Sequence, residues 1–165
     1  MNSLKSLEDM FAGLFNGLPS LPENVKEILV KVWPWLALIG GILQFIAAIA
    51  LWQLVSWTSD LFNAFSAAYY AGYNVGLTSV EKTIIYVGIM MLVVDAVILL
   101  MAFPKLQKRM RSGWNLLFLG ALINLVYGFT QIFMYGQGMG GFIGSLIGSA
   151  IAFYLLFQVR EKYNS

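Results

Sequence analysis

Four long apolar runs restrict what this chain can fold into more than any other feature of its sequence. The runs cover residues 34–57, 83–103, 113–135 and 139–158. Each holds about the 20 mostly apolar residues that an α-helix needs to cross a hydrocarbon core of about 30 Å. Charged residues make up only 11% of the chain, against about 25% in ordinary globular domains, which disfavours a water-soluble fold. The sequence therefore predicts an all-α membrane protein with a bundle of four transmembrane helices.

Short signals mark where these helices begin and end. Thr78 with Glu81 three residues later predicts a capping box at the start of the second transmembrane helix. Pro104 is predicted to end that helix, because proline cannot donate the backbone hydrogen bond that continuation needs. The turn at residues 136–138 is so short that the third and fourth helices must be antiparallel neighbours. Tryptophans are expected at the two membrane interfaces, with Trp33, Trp35 and Trp114 at one and Trp52 and Trp57 at the other.

The distribution of basic residues predicts the orientation. Nine of the ten lysines and arginines lie before the first run, between the second and third runs, or after the fourth; the exception is Lys82. The positive-inside rule assigns that side to the cytoplasm. We therefore expect a multi-pass protein of the inner (plasma) membrane with cytoplasmic N- and C-termini. Residues 33–158 would form its transmembrane domain and 159–165 a cytoplasmic tail.

Outside the runs, apolar residues at three- and four-residue spacing predict amphipathic surface helices. Two are expected on the cytoplasmic side in residues 1–32, separated by the Pro19 to Pro22 break. Each would lie in the membrane interface or pack beneath the bundle, or else offer a docking face to a partner protein. A third short helix is expected on the outer side, where Leu61, Phe65, Ala68 and Tyr69 share one face.

Asp95 is the single acidic residue inside an apolar run. An ionisable group near the bilayer centre costs about 2.5–3.5 kcal/mol on insertion scales, which makes it a functional hypothesis by default. At about 1.5 Å per residue, Asp95, Asn124 and Gln44 come out at roughly 13–17 Å from the same membrane border. The three side chains are therefore candidates for an intramembrane polar cluster. It would fix helix register through a neutral Asp95, form an ion or proton pathway, or contact another subunit.

The third run extends this cluster with a polar stripe. Asn124, Tyr127, Gln131 and Tyr135 recur at helical spacing and would share one face, with Gly120 and Gly128 beside them. Such a face points to protein or water rather than to lipid. Interhelical hydrogen bonding and the lining of a narrow cavity both account for it.

The fourth run carries two rows of small residues. At four-residue spacing, small residues let two helix backbones approach closely. The partner helix is either the first or third helix of the same chain or a second copy in a homo-oligomer. The first row is Gly140, Gly144, Gly148 and Ala152, and the second is Gly141, Ser145 and Ser149.

A compact basic loop separates the second and third runs. Its charges set the topology, and they are also a candidate site for anionic lipid or a cytoplasmic partner. The loop contains Lys105, Lys108, Arg109 and Arg111.

The absence of cysteine and histidine excludes several kinds of chemistry. Zinc or haem sites built on these residues and Ser-His or Cys-His nucleophile pairs are impossible. No metal-ligand cluster, nucleotide-binding glycine motif or basic nucleic-acid stripe is found either. We expect no cofactor, no metal site, no nucleic-acid partner and no enzymatic activity.

Two segments of the chain carry a resemblance to known proteins. They are residues 21–38, with the sequence LPENVKEILVKVWPWLAL, and residues 103–118, with the sequence FPKLQKRMRSGWNLLF. On these segments the chain resembles small uncharacterised four-span membrane proteins of genome-reduced bacteria. The resemblance implies the four-span fold and no particular activity.

Two functions follow from these patterns. The first is a non-enzymatic integral membrane scaffold or assembly subunit that associates through helix packing, with the lipid bilayer and further copies or other membrane subunits as its partners. The alternative is a small oligomeric channel or proton-coupled transporter that uses Asp95. A continuous polar path to Asp95 from both sides of the membrane would distinguish the transporter from the scaffold.

Overall fold

The structure is a computed structural model that describes residues 2–15, 17–69, 78–135 and 139–164. Side chains at 2–4, 62–63, 65–69, 127, 129–135, 139–142 and 145 lie outside the description. Within the described residues the fold is entirely helical, as predicted. Its elements are α1 (Asn2–Phe15), α2 (Glu23–Tyr69), α3 (Ser79–Gln107), α4 (Arg111–Tyr135), α5 (Met139–Gln158) and a final 3₁₀ turn (Arg160–Lys162).

Two of these helices are long and apolar enough to cross a membrane. In α2 the stretch is Glu23–Leu61, of 39 residues, and in α3 it is the whole helix Ser79–Gln107, of 29 residues. At about 1.5 Å per residue both exceed the hydrocarbon core of a bilayer. Most of the surface of the α2 stretch is unburied, with many large apolar side chains exposed, as expected of a helix that faces lipid rather than a protein core.

The helix α2 is longer than predicted. A separate amphipathic helix before Val32, a span beginning at Pro34 and a short outer helix through Tyr69 were expected, but one continuous helix contains all three, with Pro34 inside it. The missing N–H of Pro34 leaves one backbone carbonyl unpaired, yet burial on both sides of the proline holds the helix together. The buried residues that share this face are Val30, Ala37, Ala48 and Val55.

The helix α3 begins where the sequence predicted, but it ends later than predicted. The capping box is confirmed: the Thr78 side chain accepts from the Glu81 backbone, and the Glu81 side chain accepts from the Thr78 backbone. Pro104 was wrongly predicted to end the helix, which continues to Gln107. The end is made instead by Arg109, whose φ of 52° is left-handed. Two backbone bonds, from Arg109 to Leu106 and from Met110 to Lys105, close the turn as in a Schellman motif.

The long helices pack in chain order, α2 on α3, α3 on α4 and α4 on α5, while α1 folds back onto α5. The main core lies where α1, the α3–α4 turn and the C-terminal residues meet, which we call the basal end. Trp114 is fully buried there, stacked on Phe118 with ring centroids 5.4 Å apart, and its indole N–H donates to the Leu156 carbonyl at 2.9 Å. Its predicted place as an interfacial anchor is wrong, because the basal core encloses the whole ring.

Ion pairs join the chain ends to the basic loop at the basal end. The buried Glu8 carboxylate of α1 pairs with Arg111 and with Arg160. Glu27 pairs with Arg109 at 2.8 Å. Hydrogen bonding to the carboxylate of Glu23, and then to Glu27, raises the pKa of the Lys162 ammonium above its ordinary value. Within the described residues, two of the four loop cations are therefore held by acidic groups of the same chain.

The aromatic residues of α1 add to this attachment. Phe11 packs edge-on against Phe118, with centroids 5.9 Å apart, and lies 4.8 Å from Phe153. Phe15 stacks on Phe157 at 5.7 Å. Of the placements expected for the first amphipathic helix, the structure thus has the one in which it packs beneath the bundle.

Candidate functional site

The three polar residues predicted at one depth meet in the structure. Asp95 on α3 is only 3% exposed. Its Oδ2 accepts a hydrogen bond from Gln44 Nε2 of α2 at 2.7 Å and another from Asn124 Nδ2 of α4 at 2.8 Å. Asn124 Nδ2 also donates to the Gly120 carbonyl at 3.1 Å, which fixes the amide over the carboxylate. One carboxylate thus joins three consecutive long helices.

The site has two acceptor atoms left over. Asp95 Oδ1 and Gln44 Oε1 are buried, and no donor of the described residues bonds either of them. The Gln44 amide turns its NH₂ towards Asp95, so its carbonyl oxygen is the atom that remains. A buried acceptor without a donor costs about 1–3 kcal/mol. A hydrogen-bond donor at this position would remove that cost.

Gly120 makes room for the unpaired carboxylate oxygen. A Cβ built on Gly120 would lie 2.9 Å from Asp95 Oδ1, closer than real Cβ contacts allow. The Asp95 side chain is short and is already held by two hydrogen bonds, so it has little freedom to move away. Glycine at this position of α4 is therefore part of the site.

A cavity of about 430 Å³ adjoins the carboxylate. All three polar residues line it, together with Gly120. Its remaining walls from α2, α3 and α4 are apolar and come from Trp33, Leu99, Leu117 and Ala121. A space of this size, mostly apolar with a few convergent polar groups, is typical of a small-molecule binding site.

The small residues of α5 border the same cavity. Gly148, Ser149 and Ala152 line it, followed towards the basal end by Phe153 and Leu156. A Cβ added at Gly144 or Gly148 would meet no atom of the described residues within 4 Å. Close packing of these two glycines within the chain, one of the two arrangements expected, is therefore not seen among the described residues, and packing on a second copy stays a prediction. The helix α5 is held at its basal end, where Phe153 and Leu156 are buried, and its small residues leave space instead of filling it.

Several predicted site residues fall outside what the structure describes. The side chains of Tyr127 and Gln131 belong to this group, although their backbone continues α4. On α5 the same holds for Gly140, Gly141 and Ser145. The polar stripe of the third run is thus placed only at Asn124, and the small-residue rows only from Gly144 onward.

The sequence did not identify the cavity walls or the role of Gly120. Trp33 was assigned to the membrane interface and Phe153 to no site. Gly120 precedes Asn124 by one helical turn, so it had to share a face with the amide, and this spacing was the one available signal. The aromatic walls carried no such signal, because their positions depend on how α2 and α5 meet at the basal end.

Comparisons of the chain with protein-family models, with characterised proteins and with solved structures found no match.

Proposed function

We propose that the chain is a four-span protein of the inner membrane in which Asp95 serves as the central group of a small proton-coupled transporter. The observation that carries this proposal is a buried carboxylate with one oxygen unpaired among the described residues, next to a cavity of about 430 Å³. An ionisable residue at membrane depth is costly and typically marks an ion or proton pathway.

Helix lengths and charge placement support the four spans. The helices α4, with 25 residues, and α5, with 20, reach about 30 Å or more at the rise of an α-helix, which matches the hydrocarbon core. The basic residues gathered at the basal end fit a cytoplasmic location for that end. On this arrangement both chain ends lie in the cytoplasm, and Asp95 lies within the membrane.

The geometry favours a transport site over a purely structural role in which Asp95 fixes the helix register. A polar cluster with only a structural role is most stable when every buried polar atom is hydrogen-bonded, because an unpaired acceptor in a low dielectric costs free energy. Here Gln44 and Asn124 satisfy one oxygen of Asp95, and the other stays buried with no donor among the described residues. A functional site explains why an unpaired acceptor is kept, since a proton or a donor ligand satisfies it in each cycle.

The second candidate is an assembly subunit, favoured by the exposed row on α5. Gly144 and Gly148 contact no described residue of another helix, and Ile143, Ile147 and Ile151 beside them are about half exposed. Small residues flanked by large apolar ones form a surface that a second membrane helix can pack against. This function needs no access to Asp95.

The four-span arrangement predicts which added cysteines react from outside the cell. The chain has no cysteine of its own, so each single-cysteine variant reports on one position. Ser6→Cys, Gln107→Cys and Asn164→Cys should be shielded from a membrane-impermeant thiol reagent in intact cells, and Asn74→Cys should react. Permeabilised cells provide the control, because all four must then react. Labelling of Gln107→Cys in intact cells would contradict the topology.

Access to the cavity distinguishes the two candidate functions. Ser149 lines the cavity and is partly exposed, so Ser149→Cys should react with a small cationic methanethiosulfonate from both faces, in right-side-out and in inverted vesicles. Ala102→Cys is the control, because Ala102 is fully buried and a thiol there should stay unreactive in folded protein. Reaction of Ser149→Cys from neither face would favour the assembly subunit. Reaction from one face alone would contradict transport.

A further inference from the structure

We propose that the ligand of this cavity is a small protonated amine that carries at least two N–H groups and an apolar body. The inference rests on the proposed function and names the substrate class of that same site. It follows from the charge of the cavity lining, from its unpaired acceptors and from its walls, which are independent observations.

The charge of the lining selects a monocation. Asp95 is the one charged residue among the described residues that line the cavity. An anion would meet an uncompensated like charge, and a second positive charge on the ligand would find no partner. In a site of low dielectric such mismatches cost several kcal/mol more than they do in water.

The two unpaired acceptor oxygens of the site favour a cationic ligand that carries N–H groups. Asp95 Oδ1 and Gln44 Oε1 each accept nothing from the part of the chain that the structure describes. Both atoms are buried, so a ligand reaches them only when the Asp95 and Gln44 side chains turn towards the cavity. A primary or secondary ammonium can then donate to both, whereas a quaternary ammonium can donate to neither. A hard metal cation is less suitable, because calcium takes six to eight oxygen ligands, more than these two side chains provide.

The cavity walls favour a ligand whose remaining part is apolar, preferably aromatic. Trp33 and Phe153 are aromatic, and Leu99, Leu117 and Leu156 complete the apolar surface. Aromatic faces attract cations, most strongly where water is excluded. The volume of about 430 Å³ is at the lower end of the range for drug-sized ligands, so a single-ring amine suits it.

Calorimetric titration of the full-length protein in detergent micelles tests the inference, with heats from protein-free micelles subtracted. The probes are phenethylammonium, phenyltrimethylammonium and 2-phenylethanol, which share an apolar ring. The first carries charge and N–H groups, the second charge alone and the third no charge. Phenethylammonium should bind roughly 10- to 100-fold more tightly than either of the others, the range expected for hydrogen bonds to a charged group. Equal binding of all three, or no binding of phenethylammonium, would overturn the inference.

Two variants of the site and one matched control assign the binding to Asp95. Asp95→Asn removes the charge, and Gly120→Ala places a Cβ only 2.9 Å from Asp95 Oδ1 and so displaces the carboxylate. Both should therefore weaken phenethylammonium binding by at least roughly tenfold. Gly40→Ala is the control, because its Cβ would meet only Leu99 Cδ1 at an ordinary 3.6 Å. If Asp95→Asn fails to fold, the comparison of Gly120→Ala with Gly40→Ala decides. Unchanged binding in Gly120→Ala would overturn the assignment.

Binding and transport can fail separately. Proton flux through a protein that does not bind phenethylammonium would overturn the amine inference and leave the proposed function standing. Tight and selective binding without any flux would support the amine site and contradict the transporter.

Discussion

Replacing Gly113 with alanine should destabilise the protein more than the same change at Gly40, Gly41 or Gly120. A Cβ at Gly113 would lie 2.8 Å from the backbone nitrogen of Leu106 and 2.9 Å from the carbonyl carbon of Lys105. These are main-chain atoms of the Schellman turn that ends α3, so they cannot move aside as the tip of a side chain can. Overpacking of this kind typically costs about 1–3 kcal/mol, and displacement of backbone puts the expected cost at the upper end.

The same substitution at Gly40 is the control. Alanine is favoured over glycine inside a helix by about 1 kcal/mol, and the Gly40 Cβ would meet only an ordinary contact at 3.6 Å. Thermal unfolding in detergent, followed by circular dichroism, should show Gly113→Ala melting well below the wild type, with Gly40→Ala equal to it or above. Equal melting temperatures for the two variants would contradict the close approach of α4 to the end of α3.

The effect of Gly113→Ala should reach beyond the α3–α4 turn. Trp114, the next residue, stacks on Phe118 and lies under the Arg111 guanidinium, 4.4 Å from the ring centroid. Arg111 in turn holds Glu8 of α1. A shift at the start of α4 therefore loosens the attachment of α1, which limited proteolysis of the N-terminal segment should detect.

Local signals predicted the helices well. The capping box at Thr78 and Glu81 depends only on residues three positions apart, and it is present as predicted. Counting the helical rise was enough to place Gln44, Asp95 and Asn124 at one level, because depth in a straight helix depends only on residue number. Their hydrogen bonds in the structure follow from that common level and from the packing of α2, α3 and α4 in chain order.

Features set by tertiary packing were predicted less well. Pro34 and Pro104 were both treated as helix boundaries, yet both lie inside helices, because the cost of one lost backbone bond is smaller than the gain from continued burial. The small residues of α5 indicated close packing without indicating a partner. Among the described residues nothing packs on Gly144 and Gly148, since α5 is positioned by its buried basal residues instead. The wall of the cavity could not be predicted for the same reason.

The attachment of α1 shows the same limit. Its three- and four-residue apolar spacing predicted an amphipathic helix but equally allowed the membrane interface, the underside of the bundle or a partner protein. The choice depends on Glu8, a single acidic residue that is buried between Arg111 and Arg160. Those arginines are more than 100 residues away in the sequence, and no local pattern connects them with α1.

If Asp95 is the working group of the proposed transport site, proton flux through the protein in liposomes depends on its carboxyl group. Asp95→Asn keeps the shape of the side chain and removes its titratable charge. The vesicles contain the reconstituted protein and a pH-sensitive dye. Under an imposed membrane potential that is negative inside, protons should enter and acidify the lumen. In Asp95→Asn the rate should fall to that of protein-free liposomes.

Asp60→Asn is the matched control for this measurement, because it removes an exposed carboxylate from α2 and leaves the cavity unchanged. We predict wild-type flux in Asp60→Asn and none in Asp95→Asn, with both variants folded by circular dichroism. Equal flux in wild type and Asp95→Asn would contradict a transport role for Asp95. A wild-type proton flux no higher than that of protein-free liposomes would contradict the proposed transport function as well.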